Sequence, residues 1–188
     1  MPNQLISRIR RNHGLEHASV HILSQKHKNF GVQGNATHNG FYLNIYGDID
    51  EQAIHDAVHT AHQRMKDGEH QLAVHPNCGT GLLTTAFLAT LTAQAVVAFE
   101  QYRARKSSLD LETFFRALPN AILAVTLSLI VSRPLGLYLQ AQYTTEGDLG
   151  NMEIINIQRI RTSIVARIFK LLLATNAPTA SYKITTRA

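Results

Sequence analysis

From His70 to Phe99 the chain carries no Lys, Arg, Asp or Glu. The last part of that stretch, TGLLTTAFLATLTAQAVVAF (80–99), is long enough to cross a bilayer as a helix. A second apolar run, ALPNAILAVTLSLIVSRPLGLYLQAQY (117–143), contains one charge, Arg133, beside Pro134. Threonines in the first run can bond back to their own helix. Proline kinks a helix by removing a backbone donor, and an arginine near a span end can reach the interface. The polar connection EQYRARKSSLDLETFFR separates the runs. The expected structure is a transmembrane hairpin over 79–143, with spans at about 80–99 and 117–140. The competing reading is a pair of core helices in a soluble protein.

A two-span hairpin leaves both ends on one side of the membrane. Arg103, Arg105, Lys106 and Arg116 in the connection argue for a cytoplasmic connection. Arg8, Arg10, Arg11, Arg64 and Lys66, and the difficulty of exporting a folded domain without a signal, argue the reverse. The cytoplasmic N-terminal domain is preferred. The N-terminal residues MPNQLISRIRRNHG have no apolar core of signal-peptide length. Mean hydropathy over the 188 residues is -0.09, an ordinary soluble value that conceals an asymmetry. All ten histidines lie at or before His75, and the apolar runs follow it. Net charge is +5, but the basic residues are scattered and no aromatic stripe accompanies them. The expected partner is therefore the lipid bilayer and not nucleic acid. A phosphate-binding glycine loop is also missing. The single Cys78 cannot form an internal disulfide, so redox compartment is not decided.

Residues 1–78 read as a small α-β-β-α-β domain. Helical periodicity runs over 4–25, with Leu5, Ile9, Val20 and Leu23 on one stripe. Asn12 and Glu16 share that stripe, and His13, His17 and His21 follow its edge. A carboxylate on an apolar face is costly unless something pairs with it, which singles out Glu16. GVQGNATHNGFYLNIYG predicts two strands joined by a turn around Asn39-Gly40. Asp50 caps a second helix with the stripe Ile54, Ala57, Val58, Ala61 and Met65, stopped by Gly68. HQLAVHP is expected to be a short third strand.

The segment NHGLEHASVH concentrates the chemistry. HGLEH matches H-x-x-E-H, an inverted zinc-protease pattern. Histidines four apart project from one helix face and can grip one metal ion. In this reading His13 and His17 are ligands, zinc is the fitting metal, and Glu16 is the general base toward water. Further donors are expected from GEHQLAVHPNC: His75 and Cys78, spaced i, i+3, with Glu69 as an alternate. His21 is a fourth ligand or an outer hydrogen-bonding partner. The competing reading makes the whole set a polar network bracing the first helix against the HPNCGT turn. A Cys78/His75 nucleophilic pair is a minor alternative. His55, His59 and His62 form a second stripe without a Glu or Cys companion and read as a solvated face. His27, His38 and His70 sit in expected loops.

RRNHGLEHASVHIL, then GFYLNIYGDI, a helix ending RMKDGE, and LAVHPNCGTGLLTT resemble an uncharacterised family of bacterial membrane proteins with only a domain-of-unknown-function label. The resemblance covers about residues 8–150. It is carried by Asn12, His13, Glu16 and His17, and by His75 to Thr80, with Gly81 as a departure where Asn is expected. It implies a membrane location and a polar site shared by the two motifs, but no activity. In the tail, 144–188, MEIINIQRIR is β-prone, SIVARIFKLLLAT reads as an interfacial helix or a strand, and SYKITTRA can close a hairpin. The expected fold class is α+β. Two functions remain open: a metal-dependent hydrolase or peptidase of unknown substrate, and a non-enzymatic membrane module whose cluster is structural.

Overall fold

The computed structural model describes residues 2–105, 108, 110–172 and 176–187. Lys106, counted in the connection's charge, lies outside the described residues, as do positions 173–175 of the tail segment. The chain is α+β and divides into two compact units, 1–75 with 141–188, and 76–140.

In the first unit, α1 (Pro2–Lys26) is followed by β1 (Gly31–Thr37), β2 (Gly40–Tyr46) and α2 (Glu51–Lys66). The tail supplies β3 (Glu153–Ile160), α5 (Ile164–Leu172) and β4 (Thr179–Arg187). All four strands form one antiparallel sheet in the order β1-β2-β4-β3. The register pairs Phe41 with Ile184 and Leu43 with Tyr182. Alternate residues Phe41, Leu43 and Ile45 of β2 are buried, and with Tyr182 and Ile184 they form the sheet's side of the core.

α2 forms as its sequence dictates. Asp50 accepts the Ala53 N–H at 2.7 Å, and Ile54, Ala57, Val58, Ala61 and Met65 are the buried stripe. Gly68, at φ +101, ends the turn that follows. α1 departs from a one-sided helix. Asn12 and every residue from Gly14 to Val20 are buried, while Leu5 and Ile6 are exposed. A helix buried on more than one side has more than one neighbour, and α1 packs on β1, β2, α2 and the segment after α2. That segment is not the expected third strand. His70–Ala73 is a short 3-10 helix. With Leu72 and Ala73 both buried, its burial lacks the alternation of a strand, and the sheet is completed by β4 instead.

The second unit holds α3 (Gly79–Arg103) and α4 (Leu111–Leu139), which continues as a π turn over Gln140–Thr144. Both helices are long and apolar enough to span a membrane, and almost none of either apolar window is buried. Leu82, Leu83, Phe87, Ile122, Leu123 and Ile130 each leave more than half of their surface exposed. The two helices meet through small and hydroxyl side chains. A Cβ on Gly136 would stand 3.0 Å from the Gly81 Cα, and Thr85 donates to the Ser132 hydroxyl at 2.9 Å. Close approach through such residues is how helices associate where lipid removes the hydrophobic drive. At the other end, buried Glu100 accepts from Asn120 (3.3 Å) and pairs with Arg103 (3.5 Å).

Candidate functional site

The Asn-His-x-x-Glu-His motif of α1 is divided between two faces. Asn12 and Glu16 turn to the sheet. The Asn12 amide donates to Thr37 O at 2.8 Å, and its Oδ1 accepts from Thr186 at 2.7 Å, so one side chain ties the helix to β1 and β4. The Glu16 carboxylate lies on Gly34 of β1. A Cβ at Gly34 would fall 1.7 Å from Glu16 Oε1, so this strand position admits only glycine while Glu16 keeps its place.

His13, His17 and His21 turn to an adjacent side, toward the loop of 144–147 and the chain at 73–75. His13 Nδ1–H donates to Thr144 O at 2.9 Å. His17 Nδ1–H donates to Ala73 O at 2.8 Å. His21 Nε2–H donates to Val74 O at 2.9 Å. A carbonyl only accepts, so each ring nitrogen named must carry the proton, and each neutral ring has its lone pair on the other nitrogen. His75 completes a chain of imidazoles. Ring centroids are 4.4 Å apart for His13 and His17, 5.8 Å for His17 and His75, and 4.8 Å for His21 and His75. Burial, with His21 and His17 adjacent, pushes the His75 pKa down to about 4, so the ring is neutral near neutral pH.

Gly14 lets the loop close over this face. A Cβ there would meet Glu146 O at 2.5 Å and the Ala73 Cβ at 3.1 Å. Arg10 donates to Thr145 O and to Gln142 O, both at 3.0 Å, and Arg11 pairs with Glu146 at 3.0 Å. The sequence pattern gives Gly14, Gly34 and Thr144 no part in the site. The available signal was an isolated glycine inside a helical pattern and another inside a strand, each of which asks for a packing reason.

The remaining candidates are placed as follows. Glu69 is held by both its oxygens on the Arg64 guanidinium, and that hydrogen bond keeps its carboxyl below the usual range. Cys78, in the second unit, is the N-cap of α3, its Sγ accepting from Thr80 N at 3.4 Å. His59 is exposed on α2, but its neighbour His62 is not merely solvated: it hydrogen-bonds to Met152 O at 2.8 Å.

An uncharacterised protein of Picosynechococcus sp. is 37% identical over 89 residues, 43% of this chain and 42% of that protein. The match therefore spans less than half of the relative's length. No solved structure matches the chain. The family described as "Domain of unknown function (DUF6391)" matches residues 8–157. That is most of the chain, and the protein belongs to the DUF6391 family.

Proposed function

We propose that this protein is a two-span membrane protein that binds a divalent metal ion on the histidine face of α1. The observation that carries the reading is the set of backbone carbonyls on His13, His17 and His21. Each takes one ring N–H and leaves the second nitrogen as the basic atom, which is how metal-ligating histidines are oriented from behind. His13 and His17 are the first two ligands, with the T-shaped approach of their rings as support. Cys78, three residues beyond His75, is the proposed third donor, and His75 or His21 the fourth. Imidazole with thiolate suits zinc. The bilayer is the proposed surroundings of α3 and α4, because neither helix buries its apolar side chains in protein. The sheet joins strands from before and after the hairpin, which supports a topology in which both crossings return the chain to one side.

A hydrolytic role is the second reading, favoured by the H-x-x-E-H spacing. There the metal supplies Lewis acidity when bound, and Glu16, one helical step from His17, accepts a proton from water. The packing of Glu16 on Gly34 favours instead a brace to the sheet, and a structural site closed by four protein ligands.

Elemental analysis of detergent-purified protein decides the first question. Near-stoichiometric zinc that is lost in both His13→Ala and Cys78→Ala establishes one shared site. No metal in the wild type after zinc reconstitution refutes it. For a metal-loaded protein, Glu16→Gln separates the two roles: unchanged zinc with lost peptide or ester hydrolysis marks a base, and lost folding marks a brace.

A further inference from the structure

α5 faces the wrong way for a core helix. Ile164, Val165, Ile168, Leu171 and Leu172 fall at i, i+1, i+4, i+7 and i+8, which is one face. All five are more than half exposed, from 53% at Ile168 to 79% at Leu171. The helix is attached by its other side. Ala166 is fully buried, its carbonyl accepts the Tyr46 hydroxyl at 3.1 Å, and the Phe169 ring stacks on Tyr46 with centroids 6.5 Å apart. A short, strongly amphipathic helix is thus pinned to the sheet with its aliphatic side outward. Monomeric soluble proteins rarely leave such a contiguous patch in water.

Charge says what covers it. From Ile154 to the end of the chain there is no Asp or Glu, while Arg159, Arg161, Arg167, Lys170, Lys183 and Arg187 are basic. Arg161, three residues before the helix, and Arg167, on it, are exposed. A second copy of this face would bring like charges together across a two-fold axis. An anionic lipid surface would attract them and accept the aliphatic side chains as well.

We propose that α5 is an interfacial anchor, lying in the headgroup layer of an anionic bilayer leaflet with its five aliphatic side chains at the acyl boundary and Arg161 and Arg167 against lipid phosphates. This inference is independent of the metal site and does not require the hairpin to span.

The chain has no tryptophan, so a single introduced indole reports alone. Full-length protein would be reconstituted in phosphatidylcholine vesicles with and without phosphatidylglycerol. Ile168→Trp reports α5, Leu91→Trp reports α3, and His59→Trp on the exposed side of α2 is the aqueous control. With phosphatidylglycerol, Ile168→Trp should emit further to the blue, be at least about threefold less quenched by acrylamide than His59→Trp, and be quenched by bromines carried ~5–10 Å into the leaflet. Arg161→Gln with Arg167→Gln should remove the difference between the two vesicles. Equal acrylamide access for Ile168→Trp and His59→Trp, with Leu91→Trp quenched by lipid, overturns the anchor and leaves the hairpin standing. Shielding that follows protein density and not lipid charge assigns the face to a second copy and also overturns it. Loss of lipid quenching at Leu91→Trp alone counts against the hairpin and leaves the anchor intact.

Discussion

Gly14→Ala sets two effects of opposite sign against each other in the middle of α1. Alanine is the better helix former by about 1 kcal/mol, so on propensity alone the substitution stabilises. The new Cβ, however, would lie 2.5 Å from Glu146 O and 3.1 Å from the Ala73 Cβ. Neither obstacle is the free end of a flexible side chain. Relief needs the loop of 144–147 to retreat by roughly 0.5–1 Å, the gap between that contact and ordinary packing. That loop is held by Glu146 N–H on Arg10 O (3.1 Å), by Arg10 on Thr145 O (3.0 Å) and by Ser7 on Glu146 (2.9 Å). Overpacking of this kind costs about 1–3 kcal/mol, and each loosened hydrogen bond about 1 kcal/mol more. The clash should win, with a net loss of about 1–3 kcal/mol and a Tm lowered by roughly 3–10 °C. The same retreat draws Thr144 O from His13, so metal content should fall with Tm. Circular dichroism melts of the detergent-solubilised protein, with zinc measured on the same samples, provide the check. A Tm equal to or above wild type would show that the loop yields without cost and would refute the tight closure of this face.

Thr186→Val leaves Asn12 Oδ1 without its partner in a buried position, and denaturant unfolding should show a loss of about 1–3 kcal/mol; no loss would mean that the tie from α1 to β4 is dispensable. The His75 pKa of about 4 in the folded chain lies below its ordinary 6.5, so between these values the unfolded chain binds the extra proton. Metal-free protein should therefore be most stable above about pH 6.5 and lose stability as pH falls toward 4, by about 1–2 kcal/mol once solvent screening is allowed for. His75→Gln should flatten that part of the profile, and an unchanged slope would show that other groups cause it. Gly136→Leu should force α3 and α4 apart at Gly81, seen as faster hydrogen exchange in both helices in detergent; exchange like wild type would place the helix contact elsewhere.

The elements legible in the sequence are those whose signal is local. The α2 stripe, its Asp50 cap and its stop at Gly68 are read from spacing alone, and the structure has them at the same residues. The apolar helices announce themselves by length and lack of charge. The segment at 70–73 misled because four residues carry too little periodicity to separate a strand from a 3-10 turn. His62 misled because its partner, Met152 O, lies 90 residues away.

The sequence by itself determined which side chains share a face of α1, since a helix places residues four apart together whatever surrounds it. It could not say that this helix has two polar faces with different tasks. That was decided by tertiary structure: the Thr37 carbonyl and the Thr186 hydroxyl on one side, and the carbonyls of Ala73, Val74 and Thr144 on the other, arrive from distant parts of the chain in positions that no spacing rule encodes. The tautomer of each histidine, and with it the chemistry open to NHGLEHASVH, follows from those carbonyls.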